Sequence, residues 1–321
     1  MQTNLLKVSL KTITRPHRID IHHHILPPEY LSSLAKIGIT TVTNVPFPKW
    51  DPEYSLEFME RQGIATAITS ISSPGIYFGD PKFTRNLARV CNEYSANLIS
   101  NYPKQFGGFA ILPLPDIEAS LLELEYALDI LKLNGVGMLT NFNGKYIGDP
   151  EFENLFSELN QRNAIVFIHP DIPPEEKLSN LNFPSAILEF VFDTTRAITN
   201  LMHHGIFKRY SNIKFIFAHA GGTAPYIAWR ITFGKKKLIK QFKNLYYGTA
   251  LSATRNVFQC LMELVDHSHI LFGSDFPFVH EIAIKEMIRE IVNYNEVEKK
   301  KCLDIEQKNA LSLFPHFKSI I

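Results

Sequence analysis

The stretch Arg18-Ile-Asp-Ile-His-His-His-Ile-Leu-Pro27 decides how this chain is read. It sets an aspartate and three consecutive histidines inside an apolar run. Histidine is no natural core residue, so three together ask for a ligand. In an extended strand, successive side chains alternate faces. His22 and His24 then share one face and can bind one metal ion between them. His23 points the other way, toward a helix layer or a loop, and takes no ligand role. Asp20 is expected to face away from the pair and to support rather than ligate.

Three more ionisable groups end apolar runs. His169 ends Ala164-Ile-Val-Phe-Ile-His169, His219 ends Lys214-Phe-Ile-Phe-Ala-His219, and Asp275 ends Ile270-Leu-Phe-Gly-Ser-Asp275. Short, near-continuous apolar segments of this kind are buried on both faces. Eight are expected as strands: Arg18–His22, Ile64–Ile71, Phe106–Leu112, Gly135–Thr140, Ile165–His169, Ile213–His219, Leu245–Ala250 and Ile270–Asp275. Helical spacing falls between them, over Leu121–Leu133, Thr194–Tyr210 and Ala283–Val292. Asp51-Pro52-Glu53 and Asp149-Pro150-Glu151 each place a capping aspartate before a first-turn proline.

This alternation fits a (β/α)8 barrel or a doubly wound open sheet. The ionisable groups favour the barrel. They fall at the C-terminal ends of strands one, five, six and eight, the end where barrel enzymes keep their active sites. The expected fold is therefore α/β, a (β/α)8 TIM-type barrel, with residues 1–321 as one domain. Residues 1–17 form a lead, and an insertion over 25–50, rich in Pro, Thr and Gly, lies near the barrel mouth after strand one.

Three imidazoles and one carboxylate suit one divalent ion, Zn²⁺ first and Mn²⁺ second. Such an ion brings the pKa of bound water toward neutrality. The residues alone do not separate His169 from His219 as ligand.

Composition narrows the partners. The 321 residues are 45 % apolar, with a formal net charge of +1. No charged block marks a nucleic-acid or membrane partner. Lys7 and Lys11 interrupt the apolar residues of the N-terminus, so it does not read as a signal peptide. Cys91, Cys260 and Cys302 match no metal spacing and read as reduced thiols, consistent with the cytoplasm.

The combined motifs resemble the amidohydrolase superfamily. These are Asp-x-His-x-His, the strand-five His-Pro, the strand-six His-Ala-Gly-Gly and the strand-eight Gly-Ser-Asp-Phe-Pro. More narrowly, they are similar to its aminocarboxymuconate-semialdehyde decarboxylase branch, over Arg18 to Leu313. Leu188-Glu-Phe-Val-Phe-Asp-Thr-Thr-Arg196 and Phe109–Pro115 resemble its 6-methylsalicylate decarboxylase-like members. The resemblance implies His22, His24, His169 and Asp275 as metal ligands and His219 as the acid/base group. It implies a homodimer in which Arg230 reaches a substrate carboxylate across the interface. The two glycines after His219 fit close approach of substrate to the backbone.

This chain departs from the semialdehyde decarboxylases. It has no arginine within Val42–Pro48, and their tryptophan near Ala186 is absent. A dicarboxylate substrate does not fit. Arg196 offers a replacement cation, against its reading as a structural partner of Asp193. Phe190, Phe192 and Trp229 offer an apolar wall, against ordinary packing. Phe192 is taken as the candidate substrate contact. The remaining histidines, His203, His204, His267, His269, His280 and His316, match no motif and are read as surface or packing residues.

The expected activity is metal-dependent, non-oxidative decarboxylation of an aromatic or conjugated carboxylic acid. The carbon that bears the carboxylate is protonated before CO2 leaves, with Asp275 and His219 as catalytic groups. The same centre suits a hydrolase of an amide, ester or lactone.

Overall fold

A computed structural model describes residues 17–173, 183–294 and 299–319. Of the expected 1–17 lead, residues 1–16 lie outside them. The apolar runs form eight strands: β1 (Arg18–His24), β2 (Ile64–Ser70), β3 (Phe106–Ile111), β4 (Gly135–Leu139), β5 (Ile165–His169), β6 (Lys214–Phe217), β7 (Tyr246–Gly248) and β8 (Ile270–Leu271). Each pairs with the next, and all seven pairings are parallel. The segment after β8 returns to β1. Ile21 N donates to Phe272 O at 3.0 Å, Asp275 N to His22 O at 2.7 Å, and His24 N to Phe276 O at 2.7 Å. These bonds close the sheet, which makes it a barrel and not an open sheet.

Side-chain alternation fills the barrel. Ile19 and Ile21 pack with Ile68, Phe109, Phe167 and Ile216 in its interior. Ala310, Phe314 and Phe317 of the C-terminal segment join this cluster. Strict alternation from Ile21 would turn His22 outward. Pairing with β2 shifts register between Asp20 and His23, and an irregular residue of this kind reverses the faces. His22 and His24 thereby point into the mouth, while Asp20 and His23 share the outer side.

Helix starts follow the sequence signals. Asp51 caps Pro52–Gln62 by accepting from Tyr54 N. Asp149 opens a turn at Pro150–Phe152 that leads into the helix Glu153–Gln161. Two expectations need correction. The helix read at Thr194–Tyr210 runs instead from Ala186 to His203. Gly205, at φ 70°, then separates the short helix Ile206–Arg209. The first turns overhang the mouth, where Ile187 is 66 % exposed, so their apolar residues do not mark a core face. His219 and Asp275 are not in strands but on turns beyond β6 and β8. Their φ values of 50° and 62° are incompatible with extended backbone.

The 25–50 insertion has structure of its own. It holds the helix Pro28–Lys36 and a hairpin pairing Thr41–Val42 with Val45–Pro46. Thr43 and Asn44 make its turn with φ values of 50° and 65°, the left-handed pair that suits a two-residue hairpin. Among the described residues, no helix is long and apolar enough to cross a membrane.

Candidate functional site

The strand ends bring His22, His24, His169 and Asp275 together, all buried. One donor atom from each lies within 4.8 Å of the others. His22 Nε2 and His24 Nε2 are 3.0 Å apart. They lie 3.2 and 3.1 Å from Asp275 Oδ1. His219 Nε2 approaches the other carboxylate oxygen, Oδ2, at 3.2 Å.

Supporting contacts aim these groups. His169 Nδ1 donates to Pro170 O at 2.8 Å, and His24 Nδ1 meets Ser70 Oγ at 3.0 Å. Both contacts leave Nε2 for the centre. Asp20 accepts from the backbone of His22 and Ser274 at 3.1 and 2.9 Å, and it holds His23 at 3.1 Å. His23 also bonds Ser55 Oγ at 2.6 Å, so it braces the strand from behind.

Burial, opposed in part by Asp275, pushes His22 down to about 4. Burial and then the neighbouring His24 and His22 hold His169 well below the usual imidazole range. Both rings are therefore neutral at pH 7, with lone pairs free to donate. Burial alone would raise Asp275. The imidazoles packed against it, His22 first and then His219 and His24, hold it well below the usual carboxylate range. Three imidazole nitrogens and one carboxylate, converging in a buried space, fit a divalent ion.

Thr140, the residue after β4, braces this centre. Its N–H donates to His169 O at 3.0 Å, and its Oγ1 accepts from Asp171 N at 2.9 Å. The same hydroxyl donates to the fully buried Asp193. Asp193 also accepts from Asn141 Nδ2 at 3.0 Å and Tyr146 OH at 2.5 Å. The sequence reading missed this network, because Thr140 and Asp193 look like ordinary strand-end and helix residues.

Above the centre lies a cavity of about 520 Å³ with His169, His219 and Asp275 on its floor. The insertion hairpin gives one wall through Val42, Val45 and Pro46, and the helix Ala186–His203 gives another through Ile187, Phe190 and Val191. A separate lobe of about 40 Å³ lies on the other side of His169, between Ser70, Ile111 and Leu139.

The expected substrate contacts are not on these walls. Phe192 is 38 % exposed and turned outward, and Phe190 takes the wall position. Two residues along a helix are about 200° apart, so both cannot face the cavity. Arg196 sits 3.7 Å from Glu189 and 3.8 Å from Asp193, the structural pairing weighed above. Trp229 is 72 % exposed. Arg230, on the short helix Ala228–Thr232, is exposed and has no ion-pair partner among the described residues.

The glycines after His219 have a structural reason. A Cβ on Gly222 would lie 2.1 Å from Val191 O, and one on Gly221 would lie 2.9 Å from the Tyr247 ring. The overhanging helix leaves no room for a side chain at Gly222, and the Tyr247 ring leaves little at Gly221. The unmatched histidines pack or cap. His269 stacks on Tyr246, His280 caps the helix Glu281–Asn293, and His203 meets Ile231 O.

Comparison with known proteins agrees with this geometry. The amidohydrolase family model matches residues 19–315. The chain is 32 % identical to a 6-methylsalicylic acid decarboxylase of Penicillium expansum over 320 residues, covering 95 % of this chain and 98 % of that one. It is 33 % identical to decarboxylase yanB of Aspergillus niger, covering 94 % and 88 %. A solved structure of an amidohydrolase II superposes with a TM-score of 0.89 at 30 % identity, covering 93 % of this chain and 99 % of that one. The chain belongs to the amidohydrolase family.

Proposed function

We propose that this protein is a metal-dependent, non-oxidative decarboxylase of an aromatic carboxylic acid. One observation carries the reading: His219, hydrogen-bonded to Asp275, stands beside a buried three-histidine, one-carboxylate donor set on the floor of an apolar cavity. The names of the two fungal relatives favour CO2 loss over hydrolysis.

His22, His24, His169 and Asp275 would hold the ion, Zn²⁺ or Mn²⁺. When bound, the ion supplies Lewis acidity toward the substrate's oxygens and acidifies nearby water. The apolar walls hold the ring and keep bulk water away. His219 Nε2 delivers a proton to the ring carbon that bears the carboxylate. A C–H bond forms, the C–C bond to the carboxylate breaks, and its electron pair restores the aromatic ring. CO2 leaves, and His219 regains a proton from solvent. Protonation first avoids a free aryl carbanion. Before the transfer, Asp275 Oδ2 accepts from the His219 Nε2–H and aims its ring.

We place a homodimer behind this site, with Arg230 reaching the partner's substrate. Two features support it. No lysine or arginine is among the described residues lining the cavity. Around Arg230, Tyr226 is 83 % exposed and Trp229 and Phe233 are equally open apolar surfaces, suited to an interface. The free thiols of Cys91 and Cys260 support a reducing compartment, the cytoplasm. The direct test is CO2 release from salicylate-type acids, set against hydrolysis of lactones, esters and amides.

A further inference from the structure

We infer that the acid taken by this site carries an extended alkyl substituent of several carbons, longer than a methyl group. The inference rests on the decarboxylase reading. The cavity of about 520 Å³ falls within the size range, roughly 300–1,000 Å³, that houses drug-sized ligands. A one-ring acid with a methyl group would leave much of it to water.

The cavity is graded in polarity. Its ionisable groups, His169, His219 and Asp275, are all on the floor, and Ser72 and Ser252 lie among its few other polar residues. Above them the described walls are apolar, so an uncharged chain fits and a second carboxylate does not. The rim carries Ile187, 66 % exposed, and Leu251, 57 % exposed. A substrate chain lying across them removes this surface from water.

Among the described residues, one direction is open to a long substituent. The lobe of about 40 Å³ beyond His169 is narrow and takes a water or a methyl-sized group. The chain must therefore run from the floor toward the hairpin residues Val42 and Val45. The insertion hairpin, which the metal centre itself does not need, supplies that wall.

The test is a series of 6-alkylsalicylates with methyl, propyl, pentyl and heptyl chains, assayed for CO2 release by the metal-loaded protein. kcat/KM should rise about fourfold for each added methylene up to pentyl, as expected for burying CH2 groups. In Ile187→Glu, whose side chain is exposed enough for the fold to tolerate the change, the pentyl-to-methyl ratio of kcat/KM should fall at least fivefold. A preference for the methyl acid that declines with chain length would overturn the inference and assign the apolar rim to a second copy of the chain. An unchanged ratio in Ile187→Glu would also overturn it. Absence of CO2 from every acid would instead remove the decarboxylase reading, and this inference with it.

Discussion

His219 Nε2 lies 3.2 Å from Asp275 Oδ2, and both residues hold left-handed backbone, with φ values of 50° and 62°. Non-glycine residues in this region cost about 1–3 kcal/mol where the conformation is strained. Two such residues in contact at a strand-end cluster mark a place where the fold gives up local stability to aim side chains. The contact also divides the carboxylate. Oδ1 faces His22 and His24, and Oδ2 faces His219.

That division predicts different losses from two histidine substitutions. His219→Asn should lower turnover by about 10²–10⁴-fold, the usual worth of a positioned proton donor. Its metal content should stay near wild type. His169→Ala should lose metal and activity together. Elemental analysis alongside CO2 assays checks both. Equal metal loss in the two variants would make His219 a ligand.

Thr140 should matter through its hydroxyl. Thr140→Val keeps the shape but leaves Asp171 N and Asp193 without their shared partner. Metal affinity should fall about tenfold or more, as when a group that orients a ligand is removed. Thr140→Ser, which keeps the hydroxyl, should restore most of it. Chelator competition measures the difference. A Ser variant as weak as the Val variant would show that the hydroxyl alone does not sustain metal binding.

Stability should depend on pH through Glu306. Burial would raise this carboxyl, but the His17 hydrogen bond and the Arg18 charge hold it below its ordinary 4.5. Arg18 Nη2 lies 2.5 Å from Glu306 Oε1, tying the start of β1 to the C-terminal segment. A depressed carboxylate stabilises fully above its unfolded value, and this contribution is lost as pH falls through the folded one. Glu306→Gln should therefore cost about 3 kcal/mol at pH 7, the scale of breaking a buried ion pair. The gap between variant and wild type should shrink steadily below pH 4.5. Urea unfolding at pH 7 and in acid reads this out, and a gap independent of pH would contradict it.

The shared site has its own signature. Subunits carrying His219→Ala are mixed with subunits carrying Arg230→Ala, each nearly inactive alone. In a mixed dimer the chain with intact His219 borrows its partner's arginine. Random exchange should then recover roughly a quarter of wild-type activity, since half the dimers are mixed and half their sites are whole. No recovery after demonstrated exchange would place Arg230 outside the site.

Much of this was legible in the sequence because it depends on local patterns. Near-continuous apolar runs announce buried parallel strands, and lone ionisable groups at their ends announce a mouth. Capping aspartates such as Asp51 are similarly local. What was not legible depends on register and on distant packing. The shift after Asp20 that turns His22 inward follows from pairing with β2 and closure against β8. The choice of Phe190 over Phe192 depends on where the helix begins, which the overhanging first turns obscure. Thr140 and Asp193 meet across 53 residues, and the local sequence around neither points to the other. Gly222 is explained only by the carbonyl of Val191 pressing against it.

The most direct measurement is turnover of 6-methylsalicylate by the metal-loaded protein in D2O. One CO2 should appear for each acid consumed, and the phenol formed should carry one deuterium at the ring carbon that lost the carboxylate. An acid left intact, with ring opening of a lactone or cleavage of an ester or amide by the same preparation, would contradict the account and make the centre a hydrolase.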